Sequence, residues 1–305
     1  MQYIFLQPAN TRFKWELQVA ITSLRDNDVL MSDIHLVFIR EKADVPKFFE
    51  DNYGCHTYVY ADNRDDKSYI PSIRPYLWAE FLKHNPELQK ETFTYLDSDT
   101  LIRKLPDMTG FDLKPDLWYG TDTTSYLGNE YIRHCGGDKL LKQMADVIGV
   151  TVESIESIQG NVLGAQWIMC QPTIAYWEKV YKDSNKLWHF FERVEPEYIK
   201  WGKETYGDDF SPIQSWTSDM FSMSWNCMYF NIGQKSTKEL DFCWATDSVT
   251  DFDKFNIYHN AGVIDGHQGL FYKGYYINES PLGQDFSWVD NTKASYRYVL
   301  YFKKV

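Results

Sequence analysis

The chain is poor in cysteine. It has 305 residues and only Cys55, Cys135, Cys170, Cys227 and Cys243. The count is odd, the spacings are long, and no Cys-x-x-Cys or Cys/His cluster occurs. That argues against a zinc site and reads as reduced thiols in a cytoplasmic protein. No apolar run reaches the ~18 residues that span a bilayer. The first residues, Met1-Gln2-Tyr3-Ile4-Phe5-Leu6-Gln7-Pro8, lack the basic start and apolar length of a signal peptide. Positive charge is also scarce. Lys and Arg number 31 against 43 Asp and Glu, a net charge of −12, which counts against broad attraction to nucleic-acid phosphates. Internal repeats, low-complexity tracts and an evident linker are absent. One continuous domain over 1–305 is the simplest expectation, although the length also fits two modest domains.

Aromatic residues, by contrast, are abundant. They make up 17% of the chain, with 11 Trp and 22 Tyr, within a hydrophobic share of 44%. Most such rings fill a core. The remainder are of the kind that cover the C–H faces of sugars, with Tyr and Trp adding a polar tip.

The periodicity alternates between strand and helix. Residues 3–6 read as a buried strand. Asn10 and Thr11 then offer caps to a helix carrying Trp15, Leu17, Ala20, Ile21 and Leu24. Residues 34–39 are nearly all apolar, as in a parallel strand buried on both faces. Residues 47–49 read as helical, 57–60 as a strand, and 72–84 as a helix with Pro75 in its first turn. A strand at 93–96 completes a β-α-β-α-β series, the pattern of a parallel sheet. Further on, 117–120 and 162–170 read as strands. Residues 138–148, 172–194 and 212–226 read as helices, 255–258 as a late strand, and 262–305 as loop-rich with aromatic strands.

Asp97-Ser98-Asp99 follows Phe93-Thr94-Tyr95-Leu96 and precedes Leu101-Ile102. Two carboxylates two residues apart at a strand end can share one hard cation through oxygen ligands. A cation held there can neutralise a diphosphate. A helix cap or a solvated turn is the plainer reading of such a pair.

Several separated stretches resemble glycosyltransferases of the GT-A fold. They are most similar to the group that includes peptidyl-serine galactosyltransferases and hydroxyproline arabinosyltransferases. The likeness runs from Tyr3 to His259 and is most specific in Arg74-Pro75-Tyr76, Trp78 to Leu82, and Tyr95-Leu96-Asp97-Ser98-Asp99. Arg74 stands where that group has Lys, which keeps the charge but not the compact ammonium. The resemblance implies an α/β, Rossmann-like single domain with a mostly parallel central sheet and helices on both faces. Its nucleotide-binding half would be 1–110 and its sugar and acceptor half 111–305. It implies Mn²⁺ or Mg²⁺ held by Asp97, Asp99 and His259, with neutral imidazole and carboxylates together suiting Mn²⁺. His267 is the competitor for the imidazole position. A nucleoside-diphosphate sugar, most simply a UDP-sugar, would lie against Gln7, Ala9, Asn10, Arg74 and Asp97. Lys273 would pair with the leaving diphosphate, or else be a solvated charge.

Two further groups follow from the same resemblance. In Gly160-Asn161-Val162-Leu163-Gly164-Ala165-Gln166-Trp167, Gly164 would admit the sugar to the backbone and Gln166 would face the reacting carbon. Their plainer readings are a bulge and a surface amide. Asp219, in Trp216-Thr217-Ser218-Asp219-Met220, would bind sugar hydroxyls or act as base, or else cap a helix. The family resembled favours retention of configuration.

Two rivals stay open. A metal-dependent nucleotidyltransferase shares the Asp pair but wants a glycine-rich basic loop after the first strand, which is missing after Leu6. A non-catalytic carbohydrate-binding protein would need neither Asp97 nor Asp99. The acceptor hydroxyl stays open among a modified DNA base, a protein and a glycan. A membrane partner is not expected, because no basic amphipathic helix is visible.

Overall fold

The computed structural model describes residues 1–305. The elements in chain order are β1 Gln2–Pro8, α1 Thr11–Arg25, β2 Ile34–Ile39, α2 Asp44–Tyr53, β3 His56–Tyr60, α3 Ile73–His84, β4 Thr92–Tyr95 and β5 Thr100–Ile102. They continue with β6 Leu117–Asp122, α4 Thr124–Leu127, α5 Asn129–Ile148, α6 Val152–Ser157, β7 Leu163–Cys170, α7 Ile174–Tyr206 and α8 Ser218–Tyr229. The last are β8 Gly233–Ser236, β9 Phe242–Trp244, β10 Ile257–His259 and α9 Ala294–Tyr301. Seven strands form a mostly parallel sheet in the order β3-β2-β1-β4-β7-β6-β8, the α/β architecture expected. Packing divides the chain into two compact units.

The first unit comprises Met1–Asp62, Thr94–Phe111 and Lys238–Val305. Its strands β1, β2 and β3 run parallel, with Tyr3 opposite Ile34 and His35 opposite His56. Every residue of β2 is buried, as its unbroken apolar run requires. Asn10 caps α1 by accepting from the Phe13 N–H at 3.2 Å. A second sheet, β5-β10-β9, belongs to this unit. Trp15 and Val19 of α1, Leu101 of β5, Tyr258 of β10 and Tyr298 of α9 share its core. Residues 262–305 hold no strand. Their aromatic rings sit on two short 3-10 turns, on loops and on α9, with Phe271, Tyr298 and Phe302 packed ring to ring. Ring spacing alone cannot tell a strand from such a packed loop.

The second unit comprises Asn63–Phe93 and Asp112–Thr237. In it β6 pairs antiparallel with β7 and parallel with β8. Its helices run beyond the sequence expectations. α5 begins at Asn129, nine residues before the expected start, and breaks at Gly136-Gly137, where Gly137 takes φ 66°. α7 continues through Pro196 to Tyr206. An interior proline costs about 3 kcal/mol of helix stability. The extension is held because Tyr198 is buried and its hydroxyl donates to Gln143 at 2.7 Å, while Phe210 packs on Gly202. In place of a helix over 212–226, a 3-10 turn at Ser215–Thr217 leads into α8. No helix is long and apolar enough to cross a membrane.

Candidate functional site

The acidic pair lies in the turn between β4 and β5. Thr100 closes that turn by donating its hydroxyl to the Asp97 carbonyl at 2.8 Å. Strand β5 runs antiparallel to β10, and the register sets His259 opposite Thr100. The Asn260 N–H donates to the Asp99 carbonyl at 2.9 Å and extends the pairing by one residue. A strand pairing over 160 positions of sequence thus delivers an imidazole to the acidic turn. His259 Nε2 lies 3.1 Å from Asp99 Oδ1 and 3.6 Å from Asp97 Oδ2. One donor atom from each of Asp97, Asp99 and His259 falls within 4.8 Å of the others. Two carboxylates and an imidazole converging in this way suit a divalent ion such as Mn²⁺, so the residues present fit that ion.

Lys273 donates to the other oxygen of Asp99, Oδ2. Burial opposes ionisation of Asp99, yet Lys273 and His259 outweigh it and hold the carboxyl well below its usual range. Burial likewise opposes charge on His259, but Asp99 and Asp97 hold the imidazole above its usual range. The Phe242 ring packs at a steep angle against His259, 4.8 Å between centroids. His267 is exposed, and its ring nitrogen accepts from the Ile264 N–H. It takes no part in the cluster.

The residues at the end of β1 have backbone and capping duties. Ala9 pairs through its N–H with Ile39 and through its carbonyl with Lys42. Asn10 caps α1 and also donates to Glu41 at 3.1 Å. Gln7 is buried. Beside them a cavity of about 360 Å³ is lined by residues including Thr11, Lys14, Trp15 and Lys42. A second cavity, about 350 Å³ and within the other unit, lies among Arg64, Tyr76, Glu80, Lys83 and Tyr181. None of Asp97, Asp99 and His259 lines either cavity.

The second unit holds four other residues singled out in the sequence, Arg74, Gly164, Gln166 and Asp219. Asp219 is 1% exposed, in the first turn of α8. Its Oδ2 accepts from Arg74 Nη2 at 2.5 Å and Nε at 3.1 Å, and its Oδ1 from the Tyr69 hydroxyl at 2.7 Å. The Asp219 N–H donates back to that hydroxyl at 3.0 Å. Arg74 keeps a quarter of its side chain exposed. Gln166 sits in a bulge of β7, where the register against β6 shifts after Gly120 and Ala165 takes φ 53°. It is fully buried, unlike the surface amide of the plainer reading, and its Oε1 accepts from the Thr121 hydroxyl at 2.9 Å. Gly164 is closely packed by side chains around it. A Cβ there would come within 2.8 Å of the Met220 and Thr123 side chains.

Several buried charged groups escaped the sequence reading, and one of them lies beside the acidic turn. Glu16, on the inner face of α1, is wholly buried beside Ser98 and Arg12. The only signal was an acid set between Trp15 and Leu17 in an apolar stretch.

All five cysteines are buried and unpaired. Burial pushes Cys55, Cys227 and Cys243 up to about 12, so they stay thiols near neutral pH.

No family model and no curated protein matches the sequence. Among solved structures, an apo structure of the bifunctional glycosyltransferase WbbM aligns with a TM-score of 0.50 at 8% identity. The alignment covers 99% of this chain and 49% of that one, so this chain spans about half of it. The galactosyltransferase LgtC in complex with donor and acceptor sugar analogs aligns with a TM-score of 0.47 at 13% identity, covering 100% of this chain and 96% of that one. The likeness to the first of these is one of fold.

Proposed function

We propose that the chain is a metal-dependent glycosyltransferase that moves a sugar from a nucleoside-diphosphate sugar, most simply a UDP-sugar, to an acceptor hydroxyl. The observation that carries this reading is the convergence of Asp97, Asp99 and His259 at the end of a parallel α/β sheet strand. A bound divalent ion supplies charge neutralisation to a leaving diphosphate. In this reading Asp99 and His259 hold the ion, and Asp97 meets the ion or the ribose. Lys273, one hydrogen bond from Asp99, turns its ammonium to the diphosphate once that oxygen is taken. Gln7, Ala9 and Asn10 line the nucleoside end. Arg74 is oriented by Asp219, which Tyr69 holds in turn, and offers its outer edge to an anion or a sugar hydroxyl.

Gln166 and Asp219 are assigned to the sugar half of the reaction. Both are enclosed by protein, so either role requires the residues packed around them to rearrange. Retention of configuration belongs to the reading through the glycosyltransferase group the sequence resembles. A modified DNA base, a protein and a glycan are its candidate acceptors.

The test is incubation with Mn²⁺ and a panel of nucleotide sugars, following release of the nucleoside diphosphate. Turnover of one donor, lost on chelation, supports the reading. No turnover and no Mn²⁺ binding defeats it. Gln166→Ala and Asp219→Asn then separate the roles. A kcat loss of about 100-fold at unchanged UDP affinity places the residue on the sugar. Turnover near wild type leaves it a structural part.

A further inference from the structure

The middle residue of the acidic turn is tied to a buried charge network that the proposed chemistry does not use. Ser98 is 3% exposed, and its hydroxyl donates to Glu16 Oε2 at 2.6 Å. Glu16 is 0% exposed and accepts from Arg12 Nε at 2.8 Å through its other oxygen. Arg12 lies one helical turn before Glu16 on α1, and the Asn10 cap fixes that turn. The chain of contacts therefore runs from the helix N-terminus through a guanidinium and a carboxylate to the residue between two candidate ligands.

We infer that Glu16, braced by Arg12, is a positioning residue that aims Asp97 and Asp99 at the cation through the Ser98 hydroxyl. The inference rests on the metal-site reading above. The physical argument is geometric. Ser98 is covalently flanked by both carboxylate ligands, so rotation of either one's backbone moves the Ser98 hydroxyl. That movement breaks a hydrogen bond to a buried carboxyl oxygen, where no water replaces it. Thr100 and the Asn260 N–H fix the carbonyls of Asp97 and Asp99. Ser98 fixes the turn from the helix side. Outer contacts of this kind typically account for 10–100-fold in metal affinity when removed.

Glu16 also sits directly behind the turn, held there by Arg12 and Ser98. The carboxylates Asp97, Asp99 and Glu16 face Arg12, Lys273 and His259.

The test is Mn²⁺ affinity of the full chain, read by calorimetry or by the signal of free Mn²⁺ in electron paramagnetic resonance, with no nucleotide or turnover involved. Ser98→Ala removes one hydroxyl and leaves the Arg12–Glu16 pair whole. Its Mn²⁺ affinity is expected to fall about 10-fold. Glu16→Gln keeps an acceptor for Ser98 and is expected to stay within about 3-fold of wild type. Ser184→Ala removes an equally buried hydroxyl, one bonded to the Val180 carbonyl. It should match the thermal cost of Ser98→Ala and leave Mn²⁺ affinity unchanged. Wild-type binding with an unaltered Ser98→Ala overturns this inference alone. Equal weakening in Ser184→Ala also overturns it, since the effect would then be general destabilisation. Failure of the wild-type chain to bind Mn²⁺ overturns both this inference and the reading it rests on.

Discussion

Asp99 and Asp219 are the same residue type at nearly the same burial, 5% and 1% exposed, and each is fully engaged. Their partners set them apart. Asp99 is shared by an imidazole and an ammonium, His259 and Lys273, with Asp97 alongside. An imidazole is itself a metal ligand, and a lysine on a flexible stem can leave. Asp219 faces a guanidinium fork and a phenol, Arg74 and Tyr69. Neither is a ready partner for a shared divalent ion, and the fork holds both its bonds in one plane. Burial therefore does not decide what a carboxylate does. The groups that share its oxygens do.

The largest effect is expected where that contrast is sharpest. Asp99→Asn should weaken Mn²⁺ binding by about 100-fold or more, because it removes a charged oxygen ligand. Asp219→Asn should leave it within about 2-fold. Calorimetric titration of both variants checks this, and equal losses would dissolve the distinction.

Next comes stability. Asp219→Asn leaves Arg74 without its buried counter-charge, and denaturant unfolding should record a loss of about 2 kcal/mol. That lies below the usual figure for a fully buried pair because Arg74 reaches solvent.

The pH dependence is gentler. His259 is held above the usual histidine range by Asp99 and Asp97, against the effect of burial. Protons and metal compete for its ring nitrogen. Mn²⁺ affinity should thus be full at high pH and fall as pH drops through a value above about 6.5, approaching tenfold per unit. The ion pairs in the metal-free chain behave in the opposite sense. A raised folded value adds stability that is complete below the unfolded value of about 6.5 and is lost as pH rises through the folded one. Titrations at several pH values, with and without His259→Gln, separate the two trends.

The smallest effect concerns Lys273. Lys273→Met removes a cation from Asp99, so Mn²⁺ alone should bind about 3- to 5-fold tighter, while UDP with Mn²⁺ should bind more weakly. Tighter binding of both would remove the diphosphate role.

The order of strands and helices in the first hundred residues was legible because apolar runs there have the period of their element. The unbroken run of β2 and the amphipathic α1 are examples. The break in α5, the passage of α7 through Pro196 and the turn before α8 were not legible. Each depends on a distant side chain, such as Tyr198 against Gln143, that makes an unfavourable local choice worthwhile. The same division runs through the site. Asp97-Ser98-Asp99 announces itself by spacing on one short stretch, a local property. His259 was reached only through a resemblance. Its place beside Asp99 is made by the β5–β10 register, and Lys273 arrives at the start of a 3-10 turn. Glu16 was not singled out at all, because nothing in a sequence distinguishes an acid on the wet face of a helix from one turned inward onto a serine. The sequence by itself determined which groups were available, through composition and short-range period. The tertiary structure decided which of them share an oxygen. Hydrogen bonding and charge act over a few ångströms of space, and chain separation says little about distance once strands pair.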